Sequence, residues 1–149
     1  MVGMATRWVL IAEAWSLNEI AHKVEGALTV LTLLKFKRLK ITVSEDEGEL
    51  RRRVLEVRSV LQNLLKEIQW SIKSGHVLSP LIKALQKEYG YADLRRVKEK
   101  LESALSALKR ISSGEYRDSD FEELERALEC IAYEASSRSQ ELITRAGRY

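Results

Sequence analysis

Apolar side chains recur along this chain in alternating steps of three and four residues, and a single proline, Pro80, interrupts the rhythm. That period lays one apolar stripe along each of a series of α-helices. The first helix is predicted to begin near Met4, to carry Leu10, Ala14, Leu17, Ala21, Val24, Leu28 and Leu31 on one face, and to reach as far as Leu39. From Leu39 through Ile41 to Val43 the period shortens to two, the spacing of extended backbone. No second strand segment exists to pair with it, so residues 40–44 read as an extended connector.

Ser44 with Glu47 three residues on is a capping-box pattern, in which each side chain satisfies a backbone N–H left open at a helix start. The second helix follows, with Leu50, Val54, Val57, Leu61, Leu64, Ile68 and Ile72 as its stripe, widened by Val60 and Leu65, and with Ser74 and Gly75 as its stop. Ser79 before Pro80 predicts an N-cap with proline in the first helical position, opening a short helix that ends at Tyr89 and Gly90. A fourth helix carries Leu94, Val97, Leu101, Leu105, Leu108 and Ile111 and stops at Ser112, Ser113 and Gly114. Ser119 and Glu122 repeat the capping-box spacing before the stripe of the last helix, Phe121, Leu124, Leu128, Ile131, Ala135 and Leu142.

The fold class that follows is all-α: an up-and-down bundle of four long helices with one short extra helix after Pro80, forming a single domain over residues 1–149. Short connections favour antiparallel neighbours. The end of the first helix, the start of the second, the end of the fourth and the start of the last are then expected at one end of the bundle.

Composition changes this picture only at the margins. Hydrophobic residues make up 45% and charged residues 32%, which excludes a disordered chain, and two Asn and four Gln beside many Lys, Arg and Glu lean towards a thermophilic source. Cys130 stands alone, so neither an intramolecular disulfide nor a thiolate metal site is expected. The longest apolar run, Ala27 to Leu34, is far shorter than the roughly 20 residues of a membrane span. With no secretory signal expected either, the reading is a cytoplasmic protein without a membrane partner.

Familiar chemistries are sparse. Glu19 and His22 form one E-x-x-H step, but a carboxylate-bridged metal centre in a bundle needs the step twice with two further glutamates, and His76 has no glutamate three residues before it. Glu122, Glu125 and Glu129 make an acidic stripe of the kind that holds Mg²⁺, without a second inward carboxylate face to complete it. Cys130 has no histidine near it in sequence to activate a thiolate. No phosphate-binding glycine loop or serine nucleophile motif is present. No catalytic, cofactor-binding or metal-ligating residues are assigned.

Two surfaces remain. Lys35, Lys37, Arg38, Lys40, Arg51, Arg52, Arg53 and Arg58 cluster around Phe36, a candidate phosphate-contacting patch. Five carboxylates in the same stretch, Glu45, Asp46, Glu47, Glu49 and Glu56, reduce its excess to +3, and the acidic segment Glu115 to Glu125 is expected at the same end of the bundle to pair with it. The second surface is apolar. Trp8 and Trp15 point about 140–160° away from the seam of the first helix, with Ile11 nearby and Leu33 further along. The short helix could fold over them, or a rotated seam could bury them, or a partner could cover them. The leading expectation is a non-catalytic helical interaction or adaptor protein that self-associates or docks into a larger assembly through Trp8, Ile11, Trp15 and Leu33. A nucleic-acid-associated module using the Lys35 to Arg58 patch comes second, and a carboxylate and metal-dependent enzyme third.

Overall fold

The computed structural model describes residues 2–37, 47–75, 79–88 and 94–148. Five helices account for them: α1 (Val2–Lys37), α2 (Glu47–Ser74), α3 (Pro80–Glu88), α4 (Leu94–Ser113) and α5 (Asp118–Ala146), with no strand among the described residues. The expected connector at 40–44, the Ser44 cap and the stop at Tyr89 and Gly90 lie outside those residues.

Packing closes the four long helices into a ring in which α1 lies between α2 and α5, and α4 between α5 and α2. Each neighbouring pair is antiparallel. Ser139 late in α5 donates its hydroxyl to the Ala14 carbonyl early in α1 at 2.8 Å, while Arg110 at the end of α4 grips Asp120 at the start of α5. At the far end, Ala27 and Val30 of α1, Val57 of α2, Leu108 of α4 and Leu124 of α5 line one apolar gap of only ≈ 10 Å³. The predicted meeting of those four helix ends is thus realised, and it is closely filled.

The most extensive packing joins α1 and α5. Small residues make it so: Ala14, Ala21 and Ala27 on α1 and Ala132, Ala135, Ser139 and Ala146 on α5 are all buried, which lets the two backbones approach closely enough for a serine to reach a helix carbonyl. Large side chains fill the centre, with Leu61, Ile68, Leu101, Phe121, Leu128 and Ile131 at 0–1% exposure, each contributing about 1.5–3 kcal/mol of burial.

Why the chain needs α3 follows from length. α4 has 20 residues and α5 has 29, so α4 is about 14 Å shorter at 1.5 Å per residue. α3 packs on α5 and α4 and buries Leu81, Ile82 and Leu85, filling the space beside α5 that α4 does not reach. Its start is as predicted: the Ser79 hydroxyl accepts from Ile82 N–H, its carbonyl accepts from Lys83 N–H, and its own N–H donates to Glu67 at 3.0 Å. Gly75 and Gly114 follow α2 and α4 with φ of +65° and +81°, a conformation that side chains with a Cβ resist.

Three local expectations are corrected. α5 starts at Asp118, not after Ser119: the Asp120 carboxylate accepts from the Arg117 backbone N–H at 3.0 Å, and the same carboxylate binds Arg110, so an aspartate serving two elements displaces the Ser119 cap. In α1 the buried face turns after Val24 to take in Ala27 and Val30, leaving Leu28 half-buried, because Ala27 and Val30 face the gap they line together with Val54 and Val57 of α2. In the last turn of α2 Ser71 turns inward and Ile72 is left 40% exposed. No helix is long and apolar enough to cross a membrane among the described residues.

Candidate functional site

The large apolar side chains that the core leaves exposed gather at one end of the bundle. Trp8, Val9 and Trp15 near the start of α1, Trp70 and Ile72 at the end of α2 and Ile143 at the end of α5 share that end, because these helices are antiparallel neighbours. Only Leu55 and Tyr133 lie elsewhere among the described residues of this kind. Trp8 and Trp15 are 62% and 66% exposed, so neither α3 nor a rotated seam covers them.

On α1 the exposed residues have an order of their own. Ala5, Trp8, Ala12 and Trp15 are all exposed and follow steps of three, four and three, the same period as the buried seam on the opposite side. α1 therefore carries two seams over its first four turns, one facing the core and one facing out. Arg7 and Glu13 are the only ionisable side chains in the first 18 residues, so the outward seam is also uncharged on balance. Ile11, expected in the same patch, is half-buried and packs against the core, so it supports the patch from below. Leu33 lies outside the residues whose side chains are described.

Sequence reasoning missed Trp70, Val9, Ile72 and Ile143 as members of this region. Their signal was topological: once α1, α2 and α5 are antiparallel neighbours, the end of α2 and the end of α5 must flank the start of α1. Trp70, 56% exposed, is two residues from the buried Ile68, a spacing that turns it out of the α2 stripe.

The basic patch is divided. Arg51, Arg52 and Arg58 are exposed on α2, whereas Arg53 is half-buried and its Nη1 lies 3.3 Å from Glu56. Arg53 also lies flat on α1 at Gly26, where a Cβ would come within 2.6 Å of the guanidinium, so the glycine makes room for it. Lys35, Lys37, Arg38 and Lys40 lie outside the residues whose side chains are described. The acidic segment contributes differently from expectation. Asp120, 4% exposed, holds Arg110 of α4 through contacts of 2.7 and 3.0 Å. That hydrogen bond, then the one from the Arg117 backbone, keeps its carboxyl below the usual aspartate range, and the same contact raises Arg110.

The remaining candidates sit apart. His22 is exposed, and Glu19 pairs with Lys23 at 3.1 Å. Glu122 and Glu129 are exposed on α5 and Glu125 is half-buried. Among the described residues no three His, Cys, Asp or Glu side chains gather in a way that could hold a metal ion. Cys130 is half-buried against the core. Glu134, 7% exposed, faces Arg138 at 3.9 Å, and Arg138 reaches Glu141 at 3.0 Å along the side of α5.

Comparison of the chain with family models, with curated proteins and with solved structures finds no match.

Proposed function

We propose that the protein is a non-catalytic helical interaction module whose contact surface is the outward seam of α1. The observation that carries this is the exposure of Trp8 and Trp15, at 62% and 66%, on a helix whose opposite face is already buried. Large aromatics grouped with other apolar side chains at one end of a bundle mark protein contacts, and tryptophan is among the residues that dominate binding energy. A seam with helical period is what another helix packs against.

Site-specific photo-crosslinking in living cells tests this. A photoreactive phenylalanine analogue in place of Trp15 is expected to give protein adducts of discrete size, and the same group in place of Tyr133, equally exposed but outside this end, is expected to give none. Absence of adducts at position 15 would contradict the proposal.

Nucleic-acid binding through Arg51, Arg52 and Arg58 is the weaker reading. Its supporting observation is the exposure of these three side chains on α2. Arg53, the last of the three consecutive arginines, is committed to Glu56 and to packing on α1. A low-salt gel shift abolished by Arg51→Ala with Arg52→Ala would raise it above the first.

A further inference from the structure

Resting on the contact reading above, we propose that the occupant of the outward seam is a second copy of this chain, with the two α1 helices packed antiparallel about a twofold axis at the level of Leu10. The order of residues along the seam is the reason. It runs Ala5, Trp8, Ala12, Trp15, small and large in strict alternation, and all four are exposed. When such a seam meets itself antiparallel about residue 10, Trp8 lies level with Ala12 of the other copy and Trp15 level with Ala5, so every indole faces a methyl group. The pairing is reciprocal, as a twofold interface requires: residue 8 meets 12 and residue 12 meets 8. A parallel pairing instead sets tryptophan against tryptophan and alanine against alanine, which overfills two layers and empties two others.

Charge and area agree with this occupant. Arg7 and Glu13, the only ionisable side chains of α1 in this stretch, are opposite in sign, so two copies of the seam meet without net repulsion. The exposed arginines Arg51, Arg52 and Arg58 begin at the other end of α2, away from the α1 start. The tryptophan exposures correspond to roughly 100–165 Å² on each of Trp8 and Trp15. With Ala5, Val9 and Ala12, the seam of each copy offers about 450 Å², or about 900 Å² for the pair, the size of a weak, reversible interface.

Sedimentation equilibrium on the full chain between micromolar and several hundred micromolar concentration tests the occupant. The wild type is expected to dimerise. Ala12→Arg, at an exposed position that leaves the core untouched, sets a charge against Trp8 twice per dimer and is expected to leave a monomer with an unchanged circular dichroism spectrum. Trp15→Ala, which removes an indole from each copy, is expected to weaken the dimer by at least about 30-fold, the loss typical of one tryptophan hot spot, and Tyr133→Ala to leave it unchanged. Spin labels on Glu19→Cys in a Cys130→Ser chain report the orientation. The antiparallel pair separates them by about 27 Å along the helix axis, whereas a parallel pair places them side by side. A wild type that stays monomeric throughout, or labels that lie side by side, overturns the second-copy proposal while adducts at position 15 keep the contact reading. A dimer indifferent to both Ala12→Arg and Trp15→Ala overturns the use of this seam altogether.

Discussion

α1 and α4 are both amphipathic by the spacing of their core residues, and they differ in what they turn outward. α4 buries Val97, Leu101, Ala104, Ala107, Leu108 and Ile111, packs Leu94 and Leu105 against the same core, and exposes Arg95, Arg96, Glu99, Lys100, Glu102 and Lys109. No large apolar side chain is left over. α1 buries an equally regular seam and then exposes Trp8, Val9, Ala12 and Trp15 on its other side. Folding requires one apolar stripe per helix. α4 has what folding asks for, and α1 has that plus a surplus with its own helical period, which is why contact with another molecule is proposed for α1.

The comparison breaks most readily at the level of stability. Leu101→Ala, at a fully buried α4 position, is expected to destabilise the fold by about 2–5 kcal/mol in denaturant unfolding. Ser139→Val comes next, at about 1–3 kcal/mol, because it adds bulk where α5 touches α1 and deletes the hydrogen bond to Ala14. If Ser139→Val were neutral, the close approach of these two helices would not be what holds α1 in place.

A pH-dependent effect sharpens the α4 side. Asp120 titrates below an ordinary aspartate because Arg110 and the Arg117 N–H favour its charged form. Its contribution is therefore fully present above the ordinary aspartate value, near pH 4, and is lost as pH falls through the depressed one. Melting temperature across that acid window should fall more in the wild type than in Asp120→Asn, which starts lower at neutral pH. Parallel curves would show that the α4–α5 clasp does not contribute.

The smallest effect is the most informative about α1. Trp15→Ala, measured in dilute solution, should change unfolding free energy by no more than about 0.5 kcal/mol, as surface substitutions do. A loss comparable to that of Leu101→Ala would mean that the outward seam is part of the core, and the distinction between the two helices would disappear.

Most of this architecture was legible in the sequence because periodicity reports burial directly. The stripes of α4 and α5, the Ser79–Pro80 start of α3 and the meeting of four helix ends all follow from spacing, capping chemistry and short connections. What escaped depended on contacts between helices or on competition between partners. Packing against α2 moved the α1 seam from Leu28 to Ala27 and Val30. Asp120 won the start of α5 because it could serve Arg117 and Arg110 together, a tertiary contact that no local pattern reveals. For the candidate site, Trp8 and Trp15 were visible as an angle on one helix, but the flanking Trp70 and Ile143 emerged only when the antiparallel order placed three helix ends together.

The three tryptophans, Trp8, Trp15 and Trp70, also provide the most direct probe of the outward seam. In a Trp70→Phe chain only the two seam indoles remain, and acrylamide quenching of their fluorescence reads their exposure at any protein concentration. Free quenching at submicromolar concentration that gives way to protection at several hundred micromolar is the result expected of a seam that pairs with its own copy. Quenching that is equally strong at both concentrations, or already suppressed in the dilute sample, would contradict it.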